Sequence, residues 1–297
     1  MIRYIKQADL DYEKWDNCIS SSINNVIYAY SWYLDIVAGK WDALVEDDYS
    51  SVMPLPFKSK CGFTKFYQPF FAQQLGVFSK EIISKSLVNK YLKHLEQGFK
   101  IVDICMNNMN PVSSTKLKTE SRKTFMLDLI EPYESIKANY SQNHNRNIKK
   151  AEKSKLFYTE DSGFEEIVTS FKNNRGNLFP EISEQHYKIF KSLIYACIYK
   201  GVARIIKAYD ENNSFNAGAI FLLHNNKAVF IFSGAEKTSR DNGAMFGIID
   251  HFIRKYNGTN LTLDFEGSMD KNLARFYSGF GAKECVFLRI KKSLFKF

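Results

Sequence analysis

Three short runs decide the fold: Ala203-Arg204-Ile205-Ile206-Lys207-Ala208-Tyr209, Asn216-Ala217-Gly218-Ala219-Ile220-Phe221-Leu222-Leu223 and Ala228-Val229-Phe230-Ile231-Phe232-Ser233. Each is six to eight residues long and rich in β-branched and aromatic side chains. The turn formers Asp210-Glu211-Asn212-Asn213 and His224-Asn225-Asn226 separate them. That is the signature of consecutive strands joined by tight turns. The period then changes. Over 243–256 the apolar residues Met245, Ile248, Ile249, Phe252, Ile253 and Tyr256 fall on one helical face, while Asp250, His251, Arg254 and Lys255 face away. Upstream lie a strand at 156–160 and helices at 164–173 and 183–200. Downstream lie a strand at 261–265, a helix at 271–278 and a closing strand at 284–290. The order is β-α-α-β-β-β-α-β-α-β.

The first half repeats this order. Strands are expected at 2–5, 41–45, 51–55, 63–67, 100–105 and 124–129, with helices at 12–20 and 32–37. A long helix is expected at 80–97, with Ile82, Ile83, Leu87, Val88, Tyr91, Leu92 and Leu95 inward. Where the second half has its last helix, the first has the polar stretch Asn107–Thr119. The chain therefore reads as a duplicated unit whose first copy has lost one helix. Glu131-Pro132 marks the expected boundary, because proline after a strand suits a connection. The fold class is α/β with a mixed sheet: domains 1–131 and 132–297, with a cleft between them.

Composition narrows the function without choosing it. At 297 residues the chain suits two domains, and 45% hydrophobic residues exclude a disordered one. Lys and Arg number 41 against 32 Asp and Glu, leaving a net charge of +9 that favours anionic partners. No apolar run reaches the roughly 18–20 residues that span a bilayer. The charged N-terminal decapeptide is not a signal peptide. Five scattered cysteines (Cys18, Cys61, Cys105, Cys197, Cys285) form no C-x-x-C pair and read as buried reduced thiols of a cytoplasmic protein. Trp15, Trp32 and Trp41 read as anchors of the first core. The five histidines lack metal-ligand spacing, so no metal site is expected.

The element order, doubled and joined by a polar basic helix, resembles the FemABX-like branch of the GNAT acyltransferases. Three local stretches carry the resemblance. Arg146-Asn147-Ile148-Lys149-Lys150-Ala151-Glu152-Lys153 is similar to the branch's basic helix. Asp264-Phe265-Glu266-Gly267-Ser268, followed by Ala274-Arg275-Phe276-Tyr277-Ser278-Gly279-Phe280-Gly281-Ala282, is similar to its last strand, helix and strand. Trp32-Tyr33-Leu34-Asp35, Met53-Pro54-Leu55-Pro56 and Gln68–Gly76 resemble its first-copy signatures.

The resemblance implies transfer of an acyl or aminoacyl group to an amine, with acyl-CoA as co-substrate and no tightly bound cofactor. It implies a splayed gap between the fourth and fifth strands for the donor. Two positions depart from the pattern. Tyr277 follows Phe276 where aminoacyl-transferring members have lysine, and Met245 takes the last small position of the phosphate loop. The alternatives are a transferase using aminoacyl-tRNA on a cell-wall precursor, and a non-catalytic binding module.

Within this frame Arg240, Asn242, Gly243 and Ala244 are the expected donor-phosphate residues, at a helix N-terminus whose free N–H groups attract anions. Ser239 or Asp241 as a plain cap, with Gly243 as a turn residue, is the competing reading. Asp264 and Glu266 alternate along a strand and share a face, and Glu266 is the first choice of proton acceptor. Tyr277, spaced four residues from Gly281 as in GNAT enzymes, is the expected proton donor; the competing reading is a core aromatic. Arg146, Lys149, Lys150 and Lys153 form one stripe for an acceptor or another anionic partner such as RNA, or simply a solvated face.

Overall fold

The computed structural model describes residues 1–60, 62–113, 115–267 and 269–293. Its elements, in chain order, are β1 (Ile2–Ile5), α1 (Tyr12–Ser21), α2 (Ser31–Val37), β2 (Trp41–Glu46), β3 (Ser51–Lys60), β4 (Phe63–Tyr67), β5 (Phe78–Ser79), α3 (Lys85–Gly98), β6 (Ile101–Cys105) and β7 (Lys118–Asp128). The second half continues with α4 (Tyr133–Ala138), α5 (Gln142–Lys153), β8 (Phe157–Glu160), α6 (Glu165–Asn174), α7 (Glu184–Tyr199), β9 (Ala203–Tyr209), β10 (Phe215–His224) and β11 (Lys227–Ala235). It closes with α8 (Ser239–Asn242), α9 (Ala244–Tyr256), β12 (Thr262–Asp264), α10 (Lys271–Ser278) and β13 (Lys283–Lys292).

The chain forms two compact units, but not as two successive segments. Unit 1 holds Met1–Lys123 and the chain from Cys285 on; unit 2 holds Thr124–Glu284. The expected boundary at Glu131-Pro132 is therefore corrected. The strand ending the first half, β7, pairs with β12 of unit 2, Leu263 opposite Leu127. The strand ending the second half, β13, pairs with β6 of unit 1, Ile290 opposite Ile104. Each unit is completed by the closing strand of the other half. Periodicity identifies a strand; it does not identify its partner.

In unit 1 the strand order is β1-β2-β3-β4-β6-β13, with β5 on β3. Helix α3 lays Val88, Tyr91, Leu92 and Leu95 into a core with Leu44, Met53, Leu55 and Val102. It starts later than expected because Ser84 caps it, accepting from the Leu87 N–H at 3.1 Å. Ile82 is consequently 88% exposed, not in the core. The stretch after β6 contains no helix among its described residues, as expected; Asn107 Oδ1 accepts from Met109 N–H and Asn110 Oδ1 from Val77 N–H. Trp15 and Trp41 are fully buried with centroids 4.8 Å apart, whereas Trp32 is only half-buried.

In unit 2 the order is β7-β12-β11-β10-β9-β8. Helix α9 buries Ile248, Ile249, Phe252 and Ile253, and Phe252 stacks on Phe221 of β10 at 4.0 Å. Helix α6 presses on β11 at Gly234, where a Cβ would fall on the Ile167 carbonyl. Helix α4, absent from the sequence reading, starts directly after Pro132. Cys18, Cys105 and Cys197 are buried as expected; Cys285 is half-buried, and Cys61 lies outside the described residues. Among the described residues no helix is long and apolar enough to cross a membrane.

Candidate active site

Strand β11 is the backbone of the site. It pairs in parallel with β12 over three rungs only, Lys227 with Thr262, Ala228 with Leu263 and Val229 with Asp264. From Phe230 on, β11 has no rung with β12. One residue later Ile231 is extra in its ladder with β10: Ile220 faces Phe232 while Phe221 faces Phe230. Such a bulge bends the strand and re-aims its groups. A cavity of about 390 Å³ opens along this stretch. Its inner wall is apolar, with Phe230 and Tyr277 buried and Phe171, Met245 and Phe276 half-buried. Its rim carries the exposed cations Arg175, Lys237 and Arg240.

Tyr277 is delivered by α10. Asp270 caps that helix, accepting from the N–H groups of Asn272 (2.8 Å) and Leu273 (3.0 Å). The Tyr277 ring stacks on Phe265 at 4.9 Å, so the competing core reading is partly true of the ring. Burial raises the phenol's pKa well above its ordinary value; the negative charge of Glu266 adds to this, and Arg175 opposes it. The phenol is a proton donor at neutral pH.

The two carboxylates do not share a face. Strand β12 stops at Asp264, and Glu266 adopts a left-handed conformation (φ 48°). Asp264 is buried, accepts from the Thr124 hydroxyl, and accepts from the Glu266 N–H at 2.9 Å. It thus fixes the turn that carries Glu266. Burial pushes its carboxyl above the ordinary aspartate range. The expectation that Asp264 and Glu266 share one strand face is thereby corrected: Asp264 holds the turn from which Glu266 projects. Strand alternation ends where the φ angle changes sign. Ser268 lies outside the described residues.

Gly243 does open helix α9, with φ 74°. The oxygen that approaches its backbone, however, belongs to the protein: a Cβ there would fall on the Asn147 carbonyl of α5. The Ala244 N–H is capped by Asn242 Oδ1 at 3.0 Å, and Asn242 Nδ2 donates to Asn216. Asn242, Gly243 and Ala244 are thus occupied within the fold, and none lines the cavity. Arg240 does line it, together with Ser239 and Lys237. The glycine signal was a packing signal, because close approach of a helix and close approach of a phosphate need the same missing Cβ.

All four expected cations of α5 come together. Arg146, Lys149, Lys150 and Lys153 line an open groove of about 780 Å³ with Arg275 of α10. None of the five is in an ion pair among the described residues. The helix is anchored by Ile148 and Ala151, as read from the sequence, and by two polar residues that were not, His144 and Asn147. His144 packs against Phe280 at 4.5 Å and Phe246 at 4.9 Å, and its Nε2 lies 2.7 Å from the Phe276 carbonyl. Its ring occupies the space that a Cβ on Gly279 would need. Burial lowers its pKa. A side pocket shares Gln142, Asn143 and Arg275 with the groove, and Asn272 and Phe276 with the cavity. Arg175, Lys237 and Arg275 were missed because a single cation in a loop or short helix has no pattern to betray it.

No family model and no curated protein matches the sequence. Solved structures do match the fold. FemX aligns with a TM-score of 0.66 at 11% identity, over 96% of both chains. A conserved protein of unknown function from Bacteroides thetaiotaomicron VPI-5482 gives 0.61 at 11% identity, over 98% of this chain and 100% of that one. The chain has the FemABX-like tandem GNAT fold. A tandem GNAT protein from the clavulanic acid biosynthesis pathway gives 0.50 at 11% identity over 98% of both chains. In GNAT terms β11 and β12 of unit 2 are the splayed fourth and fifth strands, and α10 is the last helix.

Proposed function

We propose that unit 2 catalyses transfer of an acyl group from an acyl-CoA-type thioester to an amine. The observation that carries this reading is the stretch of β11 beyond Val229 that has no rung with β12, beside a cavity lined by a buried phenol and by cations that join no ion pair among the described residues. An extended pantetheine-like arm would lie along the side of β11 that has no rung with β12 beyond Val229 and bond its N–H and carbonyl groups. Arg240 and Lys237 are placed to hold the donor's phosphates by charge. The amine attacks the thioester carbonyl. The C–N bond forms and the C–S bond breaks as the tetrahedral adduct collapses. Tyr277 gives its proton to the departing thiolate, and Glu266 takes the proton lost by the amine, through water. Glu266 then releases its proton to solvent and the phenolate regains one. Holding the two substrates together supplies most of the rate, and proton transfer the rest.

Calorimetric titration with acetyl-CoA and longer acyl-CoAs tests the donor. Binding that weakens at least about tenfold in Arg240→Gln supports the reading. Absence of binding at millimolar ligand overturns it.

A second reading is favoured by the five-cation groove and its connection to the cavity through Arg275, Asn272 and Phe276. Here the donor is an aminoacyl-tRNA, its phosphates lying along α5 and its aminoacyl end in the cavity. Affinity would then fall steeply with salt, with a log–log slope of about −0.7 per phosphate neutralised on a single strand. A tRNA that fails to shift at low salt removes this reading.

A further inference from the structure

Six of the nine arginines have a partner: Arg3 donates to the Asp47 carbonyl, Arg122 lies against Glu120, Arg146 donates to Asn143, Arg204 to backbone carbonyls, Arg254 to Asp250 and Arg289 to Asp103. Among the described residues the side chains of Arg175, Arg240 and Arg275 donate no hydrogen bond and join no ion pair. Arg275 faces the groove; Arg175 and Arg240 line the cavity. Arg240 lines it with Lys237 and Ser239, and Arg240 and Lys237 are given above to the donor's phosphates. Arg175 has no role yet.

The fold places Arg175 with care. Gly234 lets α6 lie against β11. At the C-terminal end of that helix Asn174 Nδ2 donates to the Ala235 carbonyl (3.3 Å) and to Glu236 Oε2 (3.2 Å), tying the helix to the end of β11. Arg175 follows at once, its N–H bonded to the Phe171 carbonyl at 2.8 Å. Of the two carboxylates of the cavity, Glu236 accepts from Asn174 and Asp270 from the first N–H groups of α10, and the charge of Arg175 also acts on Asp270. Arg175 lines the same cavity as the buried Tyr277 phenol, and its charge acts on that phenol. A guanidinium on a pinned backbone, beside an apolar wall, suits a planar anion bound through two parallel hydrogen bonds.

We infer that Arg175 binds a carboxylate carried by the acceptor, so that the acceptor is an amino acid, and not a simple amine. This rests on the transferase reading for what the amine does next. The carboxylate site itself does not require turnover, so the two fail separately.

The test uses the full chain without donor. L-Leucine, L-phenylalanine and L-lysine are titrated beside their C-terminal amides, which keep the amine and side chain but lose the carboxylate. The expected result is at least one amino acid that binds at least about tenfold more tightly than its amide. Arg175→Gln should bring the pair to equal affinity. Arg175→Lys should restore part of the difference, and Arg240→Gln should leave it intact. Circular dichroism matching the parent establishes that each variant is folded. Equal binding of every acid and amide overturns the inference, as does a preference that survives Arg175→Gln or disappears in Arg240→Gln. Acyl-CoA titration of the same variants separates the readings. If acyl-CoA does not bind but the carboxylate preference follows Arg175, the transferase reading falls and the acid site stands. If Arg175→Gln abolishes acyl-CoA binding and leaves the acid preference, Arg175 belongs to the donor and the inference falls.

Discussion

The two units contain the same parallel strand pair and finish it differently. In unit 1, β4 and β6 pair through Lys65–Ile101, Phe66–Val102 and Tyr67–Asp103. The chain after β4 then turns back into the space beyond. Gln68 Oε1 accepts the Cys105 N–H at 2.8 Å, the Leu75 N–H donates to the Cys105 carbonyl at 3.0 Å, and Leu75 bridges to Met106. Asp103 is neutralised by Arg289, with both oxygens engaged at 2.6 and 2.8 Å. In unit 2, β11 and β12 also pair over three rungs, but β11 continues past them, bulges, and keeps an open side. Three cations on its rim join no ion pair among the described residues. One unit has filled its gap with its own polar side chains and the other has kept it for something else. Duplicated topology thus gives a site only where the backbone hydrogen bonds are left unfinished.

Several substitutions would break or sharpen this contrast. Tyr277→Phe should lower acyl transfer by about 10²–10⁴-fold while leaving donor binding within about threefold, measured by steady-state kinetics and titration. Equal activity would make Tyr277 a core aromatic and not a proton donor. Gly234→Ala should cost about 3 kcal/mol of stability in urea unfolding, because the obstruction is the Ile167 backbone and not a flexible side chain. Gln68→Ala should cost about 1–2 kcal/mol by leaving the Cys105 N–H unpaired, with no loss of transferase activity. A loss of activity there would show that unit 1 shares the chemistry.

Two smaller effects concern the α5 anchor and its outer face. His144 is held neutral by burial, so its folded pKa lies below the unfolded value of about 6.5. The unfolded chain therefore binds the proton more readily. His144 contributes its full stability above about pH 6.5 and loses it as the pH falls through the folded value. His144→Gln should flatten the decline in thermal stability between pH 7.5 and pH 5, whatever its effect at pH 7.5. Lys149→Gln with Lys150→Gln should change stability by less than about 0.5 kcal/mol, since both side chains are exposed and unpaired. The same pair should reduce the salt slope of any polyanion binding by about 1–2.

The sequence made most of the fold legible, and its failures share a cause. Strand β9 and helix α10 fall where periodicity put them, because turn formers and a change of period bound each one. Helix α3 was overextended by Ile82 and Ile83, whose spacing mimics a helical face although Ser84 caps the helix after them. Within the site, Arg240 and Tyr277 line one cavity and the α5 cations line one groove. Asp264 and the glycine turn have other partners. A carboxylate that fixes a turn and one that moves a proton are the same letter, and only their neighbours distinguish them.

Local order decided which segments are strands and which are helices. It also set the doubling of the pattern and the cationic stripe on α5, since each follows from side-chain spacing along a few turns of chain. Tertiary structure alone decided that the closing strands β7 and β13 exchange units, that Asn147 occupies the glycine turn, and that Arg175 and Tyr277 line one cavity. Those outcomes depend on contacts between residues far apart in sequence, which no periodicity records.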